Sequence, residues 1–138
     1  MTIECIERSD GTREWRQDGQ RHRLDGPAVE WADGTKSWYQ NGQLHRLDGP
    51  AYIESDDRKS WYQNGRLHRL DGPAYIGADG TREWRFHGLL HKLDGPAYIG
   101  ADGTKSWWID GEKYSLKEWC ALTGKTKQET IELLLMES

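Results

Sequence analysis

HRLDGPA, residues 22–28, is the stretch on which the fold turns. It returns at 45–51 and 68–74, and as HKLDGPA at 91–97. A single His and Asp three residues apart would invite a catalytic reading. Four copies at a constant interval of 23 residues point to architecture instead, because a fixed period in this range marks a repeat array. Working outward, the whole chain follows the same register. Trp15, Trp38, Trp61, Trp84 and Trp107 form one column, and Gly19, Gly42, Gly65, Gly88 and Gly111 another. His22, His45, His68 and His91 form a third, and Asp25, Asp48, Asp71 and Asp94 a fourth. Ala32-Asp33-Gly34-Thr35 recurs at 78–81 and 101–104, and more loosely at 9–12 and 55–58.

Asp-Gly and Asn-Gly supply residues that tolerate positive φ, as tight hairpin turns require. Between them lie segments rich in strand formers, AYIE or AYIG and then TKSWYQ, which predict short antiparallel strands. The third piece, NGQLHRLDGP, holds two turn signals and a proline, which gives up a backbone donor. It predicts a structured loop, so that each unit is one hairpin. Two strands advance the array by roughly 10 Å per unit, giving a twisted single-layer ribbon on the order of 50 Å long. Equivalent side chains then stack, with indole above indole as the main contact between neighbours. The Asp of each heptad is expected to accept from its own turn backbone. The His is expected to donate to a neighbouring loop carbonyl.

Composition agrees with a thin aromatic core. The 138-residue chain carries eight Trp, six Tyr and sixteen Gly and is poor in aliphatic residues. Each large ring buries ~150–250 Å². The net charge of −4 disfavours a general polyanion binder. Cys5 and Cys120 make no disulfide framework and are expected to be free thiols in a reducing compartment. No basic-then-apolar leader and no membrane-length apolar run is present, so the expected location is the cytoplasm.

The pattern W-Y-Q-N-G-x-L-H-R, then D-G-P-A and A-D-G, resembles the MORN repeat (membrane occupation and recognition nexus), in the divergent form common in bacterial and bacteriophage proteins. The likeness covers roughly residues 4–114. It departs where the usual adjacent His-Gly becomes His-Arg-Leu-Asp-Gly-Pro. The resemblance implies an all-β elongated hairpin array that serves as a scaffold or binding surface. It further implies a phage-encoded inhibitor or decoy of a host defence protein, in the host cytoplasm. Phospholipid binding is attributed to the family, but no residue here carries it across.

Five units, the first partial, are expected over residues 1–114, and a helical cap over 115–138. Ser115-x-x-Glu118 and Thr126-x-x-Glu129 are capping boxes, so a helix is expected after each, with Gly124 ending the first. Ile131, Leu134 and Leu135 form the apolar stripe of the second helix. The stripe serves either to cover the last hairpin or to dock a partner or second copy. The first strand leaves an open edge, and a homodimer through the edge or the stripe is the second expectation.

Four equivalent His–Asp pairs do not make one reaction centre, so no catalytic residue and no enzyme activity are expected. Ladder histidines about 10 Å apart cannot share a zinc ion that needs ~2.0–2.1 Å bonds, so neither a metal site nor any cofactor is expected, although His87 beside His91 is noted. Gly124-Lys125-Thr126 resembles a phosphate-loop tail, but Trp119 stands where the motif needs Gly.

The basic columns Arg13, Lys36, Lys59, Arg82, Lys105 and Arg23, Arg46, Arg69, Lys92 would suit nucleic acid or an anionic lipid if exposed beside Tyr39 and Tyr62. The acidic column Asp10, Asp33, Asp56, Asp79, Asp102 and the Glu residues between strands are expected to neutralise them. A protein partner is the leading expectation. Its candidate residues are Tyr39, Tyr62, Arg46, Arg69, Arg85, Phe86, His87 and Trp108, which are hot-spot types or depart from the repeat.

Overall fold

The computed structural model describes residues 2–136. Each 23-residue unit contributes two strands to one long antiparallel sheet. It begins with β1 (Glu4–Glu7) and β2 (Arg13–Gln17) and continues through Val29–Glu30, Lys36–Ser37, Tyr52–Ile53, Lys59–Ser60, Tyr75–Ile76, Arg82–Glu83 and Tyr98–Ile99 to Lys105–Ile109 and Glu112–Tyr114. Register repeats faithfully: Val29 faces Ser37, Ser37 faces Tyr52, and Tyr52 faces Ser60. The all-β repeat array with a short helical cap is therefore the observed architecture.

The expected single hairpin per unit is corrected. The piece read as a loop folds back on itself, and each full unit holds a second hairpin. Tyr39–Gln40 pairs with Gln43–Leu44, Tyr62–Gln63 with Arg66–Leu67, and Arg85–Phe86 with Leu89–Leu90. Asn41 and Gly42 take φ of 51° and 81°, and Asn64 and Gly65 repeat this. Two successive left-handed residues match the twist of the flanking strands, so even two-residue strands close a hairpin.

The second hairpins also bond to one another. Gly42 N–H donates to Arg21 O at 3.0 Å, and Gly65 N–H to Leu44 O at 2.9 Å. Trp38 is the pivot between the two tiers. Its N–H donates to Ala51 O at 2.7 Å in the next unit, and its carbonyl accepts from His45 N–H at 3.0 Å. Ala28, Ala51, Ala74 and Ala97 lie at this corner with no exposed surface.

The first-tier turns are held by their own acid. Asp10, Asp33, Asp79 and Asp102 each accept from the backbone N–H two residues on, at 2.9–3.0 Å. This corrects the expectation that the Asp column pairs with the basic columns, and Asp56 pairs with Arg58 outside them, whereas Glu30 between the strands does pair with Arg13 at 3.2 Å and Arg23 at 3.3 Å. A short polar side chain satisfies the turn backbone locally before it reaches another strand. Gly11, Gly34, Gly80 and Gly103 follow with φ of 85–93°, but the third turn has Asp57 at φ 72°. Left-handed strain should be relieved by Asp57→Gly, a gain of about 0.5–1 kcal/mol net of glycine entropy. Chemical denaturation checks this, and a loss of stability would refute the strain.

Helix α1 (Leu116–Thr123) has the reciprocal Ser115–Glu118 capping box and ends at left-handed Gly124. Helix α2 (Lys127–Met136) follows, with Thr126 Oγ1 accepting from Glu129 N–H at 3.1 Å. Trp119 is fully buried, and its Nε1–H donates to Lys92 O at 3.1 Å. Buried Thr130 and Cys120 meet between the helices at 3.6 Å. Cys5 and Cys120 are both free thiols. No helix among the described residues is long and apolar enough to cross a membrane.

Candidate functional site

Arg46 lays its guanidinium 4.0 Å above the Trp38 ring, donates from Nε to Asp48 Oδ1 at 2.9 Å, and donates from NH1 to Pro50 O at 3.0 Å. Arg23 over Trp15 and Arg69 over Trp61 repeat all three contacts. In the fourth copy Lys92 Nζ lies 3.8 Å above Trp84. The planar fork with its several donors explains why arginine suits this position. The glycine leaves room for the same group: a Cβ on Gly26, Gly49 or Gly72 would lie 2.9–3.0 Å from the guanidinium carbon.

These contacts correct two expectations. Trp15, Trp38, Trp61 and Trp84 are covered by cations and not by one another, and no stacked indole pair occurs among the described residues. The arginine, eight residues on and brought back over the ring by the second hairpin, reaches the ring face before the next indole does. The heptad Asp25, Asp48 and Asp71 accept from arginine instead of their own turn backbone.

The histidines are corrected too. They accept instead of donating: Nδ1 of His22, His45, His68 and His91 receives the backbone N–H of Asn41, Asn64, His87 and Asp110 at 3.0–3.1 Å. Each His therefore latches its unit to the next hairpin turn. Burial, reinforced by the nearby His87 charge, holds His68 below the usual histidine value.

What remains open is a row of grooves between successive Leu-Asp-Gly loops. The first lies between Leu24 and Leu47, with Trp38 and His45 in its lining, and holds about 410 Å³. The second, between Leu47 and Leu70 around Trp61, holds about 530 Å³. The third, between Leu70 and Leu93 around Trp84 and Phe86, holds about 650 Å³. Leu24, Leu47, Leu70 and Leu93 are 72%, 76%, 80% and 52% exposed. Beside them the Asp25, Asp48 and Asp71 side chains are 86–87% exposed, while their arginine partners are only 22–24% exposed. Each loop thus shows solvent a leucine and a carboxylate, with the positive charge folded beneath.

Of the residues expected at a partner surface, Arg46, Arg69, Arg85 and Phe86 line these grooves. Arg85 is held at Glu83 Oε1 (2.7 Å) and at Gly88 O (2.8 Å). Tyr39 and Tyr62 are half-buried; strand alternation turns Tyr39 away from its groove-lining neighbours Trp38 and Gln40, and its hydroxyl accepts from Arg21 at 3.3 Å. His87 sits at a hairpin tip, its ring 4.5 Å from His68 and 4.3 Å from Phe86. Trp108 donates to Ser106 Oγ at 2.8 Å in the last strand pair. Ile131, Leu134 and Leu135 line a separate cavity of about 600 Å³ against Arg82, Ile99 and Lys105, so the stripe lies over the end of the sheet.

The exposed leucines are absent from the expected set. Their signal was a large apolar residue recurring between Arg and Asp in a polar turn, where nothing local needs it. No group of three or more His, Cys, Asp or Glu placed to hold a metal occurs among the described residues. No family model matches the chain, and no curated protein matches it.

Proposed function

We propose that this chain is a non-enzymatic protein-binding array whose partner lies along the Leu-Asp-Gly grooves. The observation that carries this reading is the ladder of four leucines, 52–80% exposed, set at one repeat position beside ring-lined grooves. Single exposed leucines are ordinary, but a regular row of four, one per unit and rimmed by charge, marks an interaction surface. The second basic column is drawn onto the indoles and against Asp25, Asp48 and Asp71, which speaks for a protein over a polyphosphate at this face.

The test is capture from nuclease-treated lysate of the source cells by wild type and by the Leu47→Asp/Leu70→Asp double variant. Wild type should retain a defined protein and the variant should lose at least tenfold of it. Both substitutions fall on exposed side chains, so the fold should persist by circular dichroism. Loss of all wild-type capture after nuclease would favour nucleic acid, and undiminished capture by the variant would move the surface elsewhere.

A further inference from the structure

Resting on the protein-binding reading, the spacing and charge of the grooves narrow the partner's chemistry. We infer that the row accepts a proline-rich segment in the polyproline II conformation, with an arginine or lysine at every third residue.

The period of the grooves matches such a helix. Each unit adds two strands to the long sheet, so equivalent grooves recur about every 9.6 Å. A polyproline II helix returns the same side every three residues, about 9.3 Å. An α-helix first returns a face at this scale after seven residues, about 10.5 Å. Over the three steps from Leu24 to Leu93 the polyproline helix falls short by roughly 1 Å, whereas the α-helix overshoots by roughly 3 Å. A β-strand repeats a face every ~6.7 Å and matches no integral step.

The groove lining and rim charge also complement it. Each groove sets an indole, part-covered by its guanidinium, between two leucine walls, a slot with the mixed aromatic and aliphatic lining that grips proline rings. The rim presents carboxylates that are 86–87% exposed, while the compensating guanidiniums lie flat on the rings below. Oδ1 of each of these aspartates already accepts from its arginine, which leaves Oδ2 for an incoming cation. A basic residue every third position would meet one carboxylate per unit. The peptide enters already extended, so it loses little conformational entropy on docking. Successive triplets engage successive grooves, so affinity should grow with triplet number.

The test uses three fluorescently labelled twelve-residue peptides and anisotropy titration against the full chain. The first is Pro-Pro-Arg four times over. The second has the same composition with its arginines clustered at one end. The third is Gly-Gly-Arg four times over. The first should bind at least tenfold tighter than either control. Leu47→Ala/Leu70→Ala should weaken it about tenfold, and Asp48→Asn/Asp71→Asn should weaken it and flatten its salt dependence. Equal binding by all three would reduce the effect to charge attraction and overturn the inference, as would no binding of the first at millimolar concentration.

The two readings separate cleanly. If the peptides fail while the Leu47→Asp/Leu70→Asp variant still loses its captured protein, polyproline recognition falls and protein binding stands. If wild type captures no protein either, both fall.

Discussion

Replacing Trp119 with alanine should lower unfolding stability by roughly 3–5 kcal/mol, the cost of emptying a fully enclosed aromatic site. The side chain has no exposed surface and anchors α1 to the array through its hydrogen bond to Lys92 O. A repeat array is stabilised by neighbour contacts, so its last unit depends on what covers it. The fifth unit has no fifth copy of the heptad, and α1 packs instead against the strand that carries Trp107. Urea denaturation should therefore show the loss, and hydrogen exchange should show it first at amides of Lys105–Ile109 and Glu112–Tyr114. A cost below about 1 kcal/mol would mean the helices are appended to the sheet and do not seal it.

The second large effect belongs to Glu14, at the opposite end. Its side chain is 1% exposed and accepts from Arg16 Nε at 2.7 Å, Arg21 Nε at 2.9 Å and Arg8 NH2 at 2.9 Å. Burial pushes the carboxyl up, but these three hydrogen bonds outweigh it and bring the group down from the ordinary 4.5 to about 2. The folded carboxyl is thus the weaker proton binder. Its stabilisation is complete above pH 4.5 and is lost as pH falls through about 2. The full linkage is about 3 kcal/mol, and solvent at the half-exposed arginines trims it to about 2. Glu14→Gln should lose about that much near neutral pH, because three guanidiniums are left facing an amide. Other carboxylates titrate equally in both proteins, so the loss between pH 6 and pH 2.5 should be about 1.5 kcal/mol smaller in the variant. Identical pH dependence would show that Glu14 is not the anchor of the cluster.

Much of the architecture was legible because the repeat writes it several times over. The strands at Tyr52–Ile53 and Lys59–Ser60, the Asp-Gly turns, and both capping boxes follow from local chemistry that needs no partner. The second hairpin did not, because two-residue strands such as Gln43–Leu44 carry no periodicity of their own. Their pairing is forced by the left-handed Asn41-Gly42 turn and confirmed by bonds to the neighbouring unit. The candidate site was legible only in part. Arg46, Arg69 and Phe86 were anticipated at it, but the leucines that wall it were not.

The sequence by itself determined the period, the columns, the number of units and the helical end, because each rests on short-range rules of turn, strand and cap. Only the tertiary structure decided what each column touches. Arg46 covers Trp38 in place of another indole, His45 receives the next unit's backbone, and Glu14 gathers three arginines from separate strands and a turn. Those partners are chosen by distance and competition among side chains in three dimensions, which a one-dimensional spacing of 23 residues does not encode.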